Sequence, residues 1–158
     1  MKIRLVTVGK TDVRWVAEGL DQYMSRLVHY APVTVQTIPQ LKDTASLGVP
    51  EIKRREGLRI LEAVTPADTV VLLDERGKEY RSVEFAARLE SWLSRGGNGS
   101  LVFVIGGAYG FSEEVYSRAD SMLALSKMTF SHQEVRVLFA EQLYRAFTIL
   151  RGEPYHNE

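Results

Sequence analysis

Short apolar runs alternate with longer amphipathic stretches from one end of the chain to the other. Short runs rich in Val, Ile and Leu are typical of buried strands, whereas apolar residues spaced by three or four positions predict helices. The pattern predicts five strands, at residues 2–8, 33–38, 69–74, 100–106 and 121–125. It predicts five helices, at residues 13–28, 51–64, 82–95, 112–119 and 132–151. Strands that alternate with helices favour an α/β fold, in which a mainly parallel sheet is flanked by helices.

Helix-breaking residues mark several of the boundaries. Thr65-Pro66 is expected to end the second helix, and the glycine-rich run at 96–99 to end the third, because glycine tolerates the left-handed conformation found there. Residues 39–50 show no clear period and predict an irregular loop beside the sheet.

Two helix starts carry capping signals. Ser112 precedes two glutamates, so its hydroxyl can accept from free amides at the helix start. Ser131 and Glu134 have the spacing of a capping box, in which each side chain bonds the other's backbone amide. This spacing predicts that His132 lies in the first turn of the last helix.

The last predicted helix is apolar on more than one side. Apolar residues recur at helical spacing and also occupy other faces, at Val135, Val137, Leu138, Phe139, Leu143, Tyr144, Phe147, Ile149 and Leu150. Such a helix needs two packing surfaces, and we expect these to be the sheet and the same helix of a second copy in a homodimer. The alternative is an ordinary core helix that is deeply buried in one chain.

Composition narrows the class of protein. A chain of 158 residues fits one domain, residues 1–158, and it has no cysteine, which excludes disulfides, thiolate metal sites and cysteine nucleophiles. We predict no metal site. The amino terminus is too short and too charged for a signal peptide, and no segment approaches membrane-spanning length, so we expect a cytoplasmic protein with no membrane partner.

The charge balance restricts any contact with nucleic acid to a local patch. Twenty basic residues balance twenty acidic ones, so the chain lacks the excess positive charge of a nonspecific nucleic-acid binder. Five basic residues could bind phosphates, or they could lie on ordinary solvated surfaces: Lys10, Arg14, Lys53, Arg54 and Arg55.

A glycine motif follows the fourth predicted strand. The apolar run 101–105 leads directly into Gly106 and Gly107, and Gly110 follows. This spacing does not match the dinucleotide fingerprint G-x-G-x-x-G, and no Gly-Lys-Ser/Thr sequence of a P-loop follows. The motif alone is compatible with a plain tight turn. Its position favours a ligand site, because ligands bind at the carboxyl ends of parallel strands.

Four segments together resemble the RlmH family of the SPOUT superfamily. They are Val-Ile-Gly-Gly-x-x-Gly from residue 104, Leu-Ser-Lys-Met-Thr-Phe-x-His-Gln from residue 125, Arg-Val-x-x-x-Glu-Gln-x-Tyr-Arg-Ala-Phe from residue 136, and Arg-Gly-Glu-x-Tyr-His from residue 151. The amino-terminal Ile-Arg-Leu-Val-Thr-Val-Gly-Lys belongs to the same resemblance, which therefore covers essentially the whole chain.

The resemblance implies a fold and an activity. The fold is a SPOUT-type domain with a carboxyl-terminal trefoil knot. The activity is transfer of a methyl group from S-adenosylmethionine to N3 of a pseudouridine in 23S rRNA of the large ribosomal subunit. We expect the assembled ribosome to be the substrate, because its shape supplies recognition that a small neutral domain lacks.

The resemblance also implies a methyl-donor site. Its cofactor-binding residues are Leu73, Gly106, Leu125, Ser126, Lys127, Met128, Thr129 and Phe130. In this interpretation Leu73, Leu125 and Met128 hold the adenine, and free backbone groups bind its polar edge. Without the glycine motif, Leu73 and Leu125 would be interpreted as core residues.

Four polar residues are expected near the rim of this pocket, and three of them are candidates for contact with the substrate. His156 is the first candidate for the base that removes the N3 proton, or for a nucleotide contact, against the alternative of a solvated tail histidine. Tyr155 could stack on a base or fix the tail to the protein. Arg136 could stabilise a developing imidate or hold a phosphate, against the alternative of an ion pair with a carboxylate. His132, one turn earlier, is predicted to have a structural role. Asn157 stands where some family members have arginine, and a phosphate contact is lost there.

Overall fold

Five parallel strands form one sheet with helices on both faces. The computed structural model describes all residues, 1–158. The strands are β1 (Ile3–Val8), β2 (Val33–Ile38), β3 (Thr69–Lys78), β4 (Leu101–Ile105) and β5 (Ser121–Leu123). The helices are α1 (Arg14–Leu27), α2 (Val49–Glu62), α3 (Ser82–Leu93), α4 (Glu113–Arg118) and α5 (Glu134–Leu150). The sheet order is β2-β1-β4-β3-β5, and every pair is parallel, which confirms the predicted α/β class.

Alternate side chains of the central strands enter two separate cores. In β4, Leu101, Phe103 and Ile105 pack into the core formed with α1, α3 and α5. Val102 and Val104 point into the opposite core, with side chains of α2 and α4. All five residues are buried, because a strand with helices on both faces has no side open to water.

The predicted boundaries differ from the observed ones in three places that matter for the site. Strand β3 continues to Lys78, four residues beyond the predicted end. Helix α2 begins at Val49, because Pro50 occupies its first turn, where the missing amide hydrogen costs nothing. Helix α5 begins at Glu134, two residues later than predicted.

The capping predictions are confirmed for one site and in part for the other. Ser112 Oγ accepts from the Val115 amide at 3.4 Å, as predicted for the start of α4. Ser131 Oγ accepts from the Gln133 amide at 3.2 Å and the Glu134 amide at 3.5 Å. The Glu134 side chain makes no return bond to Ser131, so the capping box is only half formed.

The extension of β3 lies directly against β5. Leu123 pairs with both Leu73 and Lys78, so β3 bulges between these two residues. The Ala124 amide donates to the Lys78 carbonyl oxygen at 3.0 Å. Gly77 approaches so closely that a Cβ atom there would lie 2.7 Å from the Leu123 nitrogen. This contact fixes where the chain leaves β5.

Strand order does not describe how the chain threads, so the trefoil knot stays a prediction. No helix in the chain is both long and apolar enough to cross a lipid bilayer.

Candidate functional site

A cavity of about 700 Å³ opens at the carboxyl edge of the sheet. Three segments line it: residues 73–76 at the end of β3, residues 105–111 after β4, and residues 123–132 with gaps after β5. Parallel strands end at the same edge, so residues far apart in sequence meet there. A cavity of this size fits a small organic ligand.

Glycines shape the wall that follows β4. Gly107 lies against the carboxyl group of Glu56, whose oxygens would be 2.8 and 3.0 Å from a Cβ atom at that position. Gly110 has a φ of +83°, and its amide donates to the Gly107 carbonyl at 3.3 Å. A side chain at either position would move the loop, because Gly107 has no space for a Cβ atom and Gly110 has a left-handed backbone.

The facing wall is the loop after β5, which is held by one hydrogen bond within the loop and one to β3. The Met128 amide donates to Ser126 Oγ at 3.0 Å. Thr129 Oγ1 donates to Glu75 Oε2 at 2.6 Å, which joins this loop to the end of β3. Met128 is 76% exposed and Phe130 is 39% exposed, so apolar surface faces open space here.

The structure brings together seven of the eight residues predicted for the cofactor. The lining includes Leu73, Gly106, Leu125, Ser126, Met128, Thr129 and Phe130. Lys127 does not line the cavity, and its side chain is exposed. A contact between Lys127 and a ligand would therefore have to involve its backbone or a change of conformation.

An acidic and aromatic cluster forms another part of the lining, and the sequence analysis missed it. The Tyr116 hydroxyl donates to Asp74 Oδ2, and the Arg76 amide donates to Asp74 Oδ1 at 2.8 Å. The Arg76 guanidinium lies 4.4 Å from the centre of the Tyr116 ring. Burial and the hydrogen bond to Asp74 raise the pKa of Tyr116, so its hydroxyl remains a donor at neutral pH. The position of Asp74 directly after an apolar run was the available signal.

His132 lines the cavity, but Arg136 does not. Arg136 is fully buried, and its guanidinium donates to four oxygens: His132 O, Gly9 O, Thr11 Oγ1 and Val8 O, at 2.9, 3.0, 2.9 and 2.9 Å. Burial lowers the pKa of Arg136, and Asp12 opposes the shift. The predicted position of Arg136 at the pocket rim is therefore wrong, because all four acceptors lie inside the protein. The contacts join the start of α5 to the end of β1.

Gln133 strengthens the same junction. Its Oε1 accepts from the Asp12 amide at 3.0 Å, and its Nε2 donates to the Lys10 carbonyl at 2.9 Å. Gln133 and Arg136 together fix the segment that carries His132 into the cavity.

Two of the basic residues considered for phosphate binding, Arg54 and Arg55, pair with Glu51 on an exposed face of α2. Hydrogen bonds from Arg54 and, to a smaller extent, Arg55 lower the pKa of Glu51 to about 2.

The carboxyl-terminal tail packs on α5 of its own chain. The rings of Tyr155 and Tyr144 meet edge to face, with centroids 4.7 Å apart. Arg145 lies 4.8 Å from the centre of the Tyr155 ring, and its Nη1 is 3.1 Å from His156 Nδ1. Burial, and to a smaller extent a hydrogen bond with Tyr23, raise the pKa of Tyr155 to about 12. Neither Tyr155 nor His156 lines the cavity within one chain, contrary to the predicted rim position.

These features define an α/β protein with a loop-built pocket of small-molecule size at the carboxyl edge of a parallel sheet. A family model described as "Predicted SPOUT methyltransferase" matches residues 1–156. The chain belongs to the SPOUT methyltransferase family.

Close relatives cover the full length of the chain. Ribosomal RNA large subunit methyltransferase H of Parabacteroides distasonis is 49% identical over 158 residues, which are 100% of both chains. The protein of the same name from Christiangramia forsetii is 52% identical over 157 residues, 99% of each chain. A solved structure, of a probable methylase family protein from Haemophilus influenzae Rd KW20, covers 99% of this chain and 70% of that chain. Its TM-score is 0.58 at 12% identity, so this likeness concerns the fold alone.

Proposed function

We propose that this protein transfers a methyl group from S-adenosylmethionine to N3 of a pseudouridine in 23S rRNA of the large ribosomal subunit. The observation that carries the proposal is the single cavity around which Leu73, Gly106 and the loop after β5 converge. The names of the full-length relatives, which specify methylation of large-subunit ribosomal RNA, support the same substrate class. S-adenosylmethionine is the expected donor for a methyltransferase of this family.

The two walls of the cavity suit the two parts of such a donor. Leu73, Leu125 and Met128 supply apolar surface for an adenine, and Met128 is exposed enough to close over it. Loop amides and carbonyls around Gly106 and Ser126 are outside the strand ladders and can bind polar edges.

Transfer to N3 requires removal of the imide proton and alignment of the nitrogen with the sulfonium methyl group. Alignment by the cavity supplies part of the rate, and a base supplies another part. In the proposal Tyr155 and His156 contact the nucleotide, and His156 is the candidate base. They lie away from the cavity of their own chain, so we assign them to the cavity of a second subunit. Arg136 positions the segment that carries His132.

A homodimer is part of the proposal. A groove of about 380 Å³ adjoins the donor cavity and shares Leu123, Leu125 and Phe130 with it. Leu138 of α5 lines this groove and is 43% exposed, so α5 retains apolar surface beyond its own core. Burying such surface against a second copy is favourable.

The Leu138→Lys substitution tests the dimer. We expect light scattering to report a dimer for the unchanged protein and a shift of at least tenfold toward monomer for the variant, because one charge per subunit would be buried. Glu134→Lys, at an exposed position on the first turn of the same helix, is the control. A monomeric unchanged protein would contradict this part of the proposal.

Labelled methyl transfer into ribosomes tests the reaction itself. We expect incorporation into ribosomes that lack the modification, little incorporation into protein-free 23S rRNA, and none into ribosomes already modified. His156→Ala should lower the rate by about a hundredfold if it removes the base. A full rate with His156→Ala would remove His156 from the chemistry and leave the reaction in place.

Calorimetry with S-adenosylmethionine separates this reaction from the competing function, a catalytically silent factor that binds ribosomes. The enzyme must bind the donor. Binding to ribosomes without donor binding would favour the silent factor and contradict the proposal.

A further inference from the structure

Glu56 is an acidic residue held in the core beside the donor cavity. It lies on the inner face of α2, between the buried residues Ile52 and Ile60, and only 7% of its surface is exposed. Its Oε1 is buried and has no hydrogen-bond partner. A buried carboxylate without a partner is costly, so its presence calls for an explanation other than stability.

The carboxyl group of Glu56 is separated from the cavity by one residue of backbone. Both its oxygens lie against the α-carbon of Gly107, within 3.0 Å of the place a Cβ atom would occupy. Gly107 itself lines the cavity, as does Lys53, which lies one turn earlier than Glu56 on α2. Any larger residue at 107 would push the carboxyl group away from the ligand space.

No cation is paired with Glu56. Burial raises the pKa of its carboxyl group, and Arg59 opposes the shift only in part. Arg59 donates instead to the Pro39 carbonyl at 2.7 Å. The other titratable groups on the surrounding elements are Glu51, Lys53, Arg54, Arg55 and Glu62 on α2, Tyr109 in the glycine loop, and Glu113, Glu114, Tyr116 and Arg118 on α4. The facing strands β1 and β4 contribute apolar side chains.

The proposed reaction brings a cation into the cavity that Gly107 lines. S-adenosylmethionine carries a positive sulfonium. When the acceptor nitrogen forms its bond to the methyl carbon, the sulfur–methyl electron pair returns to sulfur, and the acceptor's proton passes to a base. The product, S-adenosylhomocysteine, is a neutral thioether at sulfur and otherwise the same molecule. Donor and product therefore differ in one methyl group and one charge.

We propose that Glu56 is a positioning residue that lets the cavity favour the cationic methyl donor over its neutral thioether product. This inference rests on the proposed function. A buried carboxylate acts more strongly on a nearby charge than one in water does, because the protein around it screens the interaction less than water. The neutral product loses this attraction, so the same residue assists both donor capture and product release.

Proton release on binding follows from the same interaction. In the empty protein burial favours the protonated carboxyl group, whereas a bound cation favours the ionised one. The donor therefore lowers the pKa of Glu56 and displaces a proton in the pH window between the two values, and by linkage its affinity rises with pH there. The thioether lacks the sulfonium and should displace much less.

Calorimetry in buffers of different ionisation enthalpy measures this proton. S-adenosylmethionine and S-adenosylhomocysteine are titrated into the full-length protein at several pH values between about 5 and 8. We expect the donor to release more protons than the thioether. Equal release by both ligands at every pH would overturn the inference while leaving donor binding, and hence the proposed function, in place. If neither ligand binds, both fail.

Glu56→Gln tests the residue itself, and Glu62→Gln is the matched control. Glu62 is an exposed carboxylate at the end of the same helix. We expect Glu56→Gln to lower donor affinity about tenfold, to change thioether affinity less than about twofold, and to abolish the difference in proton release. Glu62→Gln should change none of these.

A measurement of stability distinguishes the loss of the Glu56 charge from disruption of the fold. Because burial disfavours the charged form, stability should fall as pH rises through the raised pKa of Glu56, and the neutral glutamine should remove this loss. We therefore expect a higher urea midpoint at neutral pH for Glu56→Gln. A variant that unfolds more easily and loses both ligands equally would mean that Glu56 serves the fold, which overturns the proposal.

Discussion

Gly77→Ala is expected to lower the rate of methyl transfer by about a hundredfold, because it displaces one wall of the donor cavity. The added carbon would lie 2.7 Å from the Leu123 nitrogen and the Met122 carbonyl carbon, both backbone atoms that no rotamer change can move. Strands β3 and β5 would have to separate, and the loop that begins at Leu125 would move with β5. The strain should also destabilise the protein by about 2 to 3 kcal/mol.

The control for this substitution is Gly48→Ala. At position 48 the nearest atom to an added carbon is Pro50 Cδ at 3.7 Å, which is an ordinary contact. We expect nearly unchanged activity and stability. Donor affinity measured by calorimetry and unfolding followed in urea give the two results for each variant. Normal donor binding by Gly77→Ala would show that the close pairing of β3 and β5 does not set the cavity wall.

Arg136→Ala is expected to destabilise the protein by about 3 to 5 kcal/mol, since the loss of one guanidinium leaves buried oxygens without donors. The four acceptors come from β1, the loop after it and the turn before α5. Urea unfolding at neutral pH measures the effect. Arg136→Lys should recover only part of the stability, because an ammonium cannot reach four acceptors in this arrangement.

Arg14→Ala is the matched control for Arg136→Ala. The Arg14 side chain is 92% exposed and pairs only with Glu18, one turn along α1. Its loss should change stability by less than about 0.5 kcal/mol.

If Arg136→Ala abolished methyl transfer at an unchanged free energy of unfolding, Arg136 would act in the chemistry, as the sequence first suggested.

Sequence pattern predicted the elements well where the signal was local. The apolar runs located all five strands, and Ser112 and the run at 96–99 marked helix ends that the structure confirms. The pattern does not reveal the end of β3, because residues 74–78 lack apolar side chains and only Lys78 among them pairs with β5, through its backbone. Backbone pairing between strands that are distant in sequence leaves no hydrophobic pattern in either strand that would reveal it.

The candidate site was predictable to the extent that it depends on where strands end. Seven of the residues predicted for the cofactor line one cavity, since each lies in or just after a strand at the same edge of the sheet. Arg136 was misplaced although a signal existed. It stands three, four and seven positions before Phe139, Ala140 and Leu143, which are all buried, so it belongs to the inner face of α5. The helical spacing of Arg136 is therefore a better guide to its position than its charge. Glu56 left no signal at all, because its role depends on the close approach of Gly107.

The strand order determines when the sheet can form during synthesis on the ribosome. Strand β4 lies between β1 and β3, so the centre of the sheet cannot close until residue 105 has been synthesised. Before that point β1 has only β2 beside it, and β3 has no partner strand. Long-range pairing of this kind slows folding, and it exposes unpaired edges meanwhile. The first two-thirds of the chain should therefore remain open during translation and fold as one unit when the last third arrives.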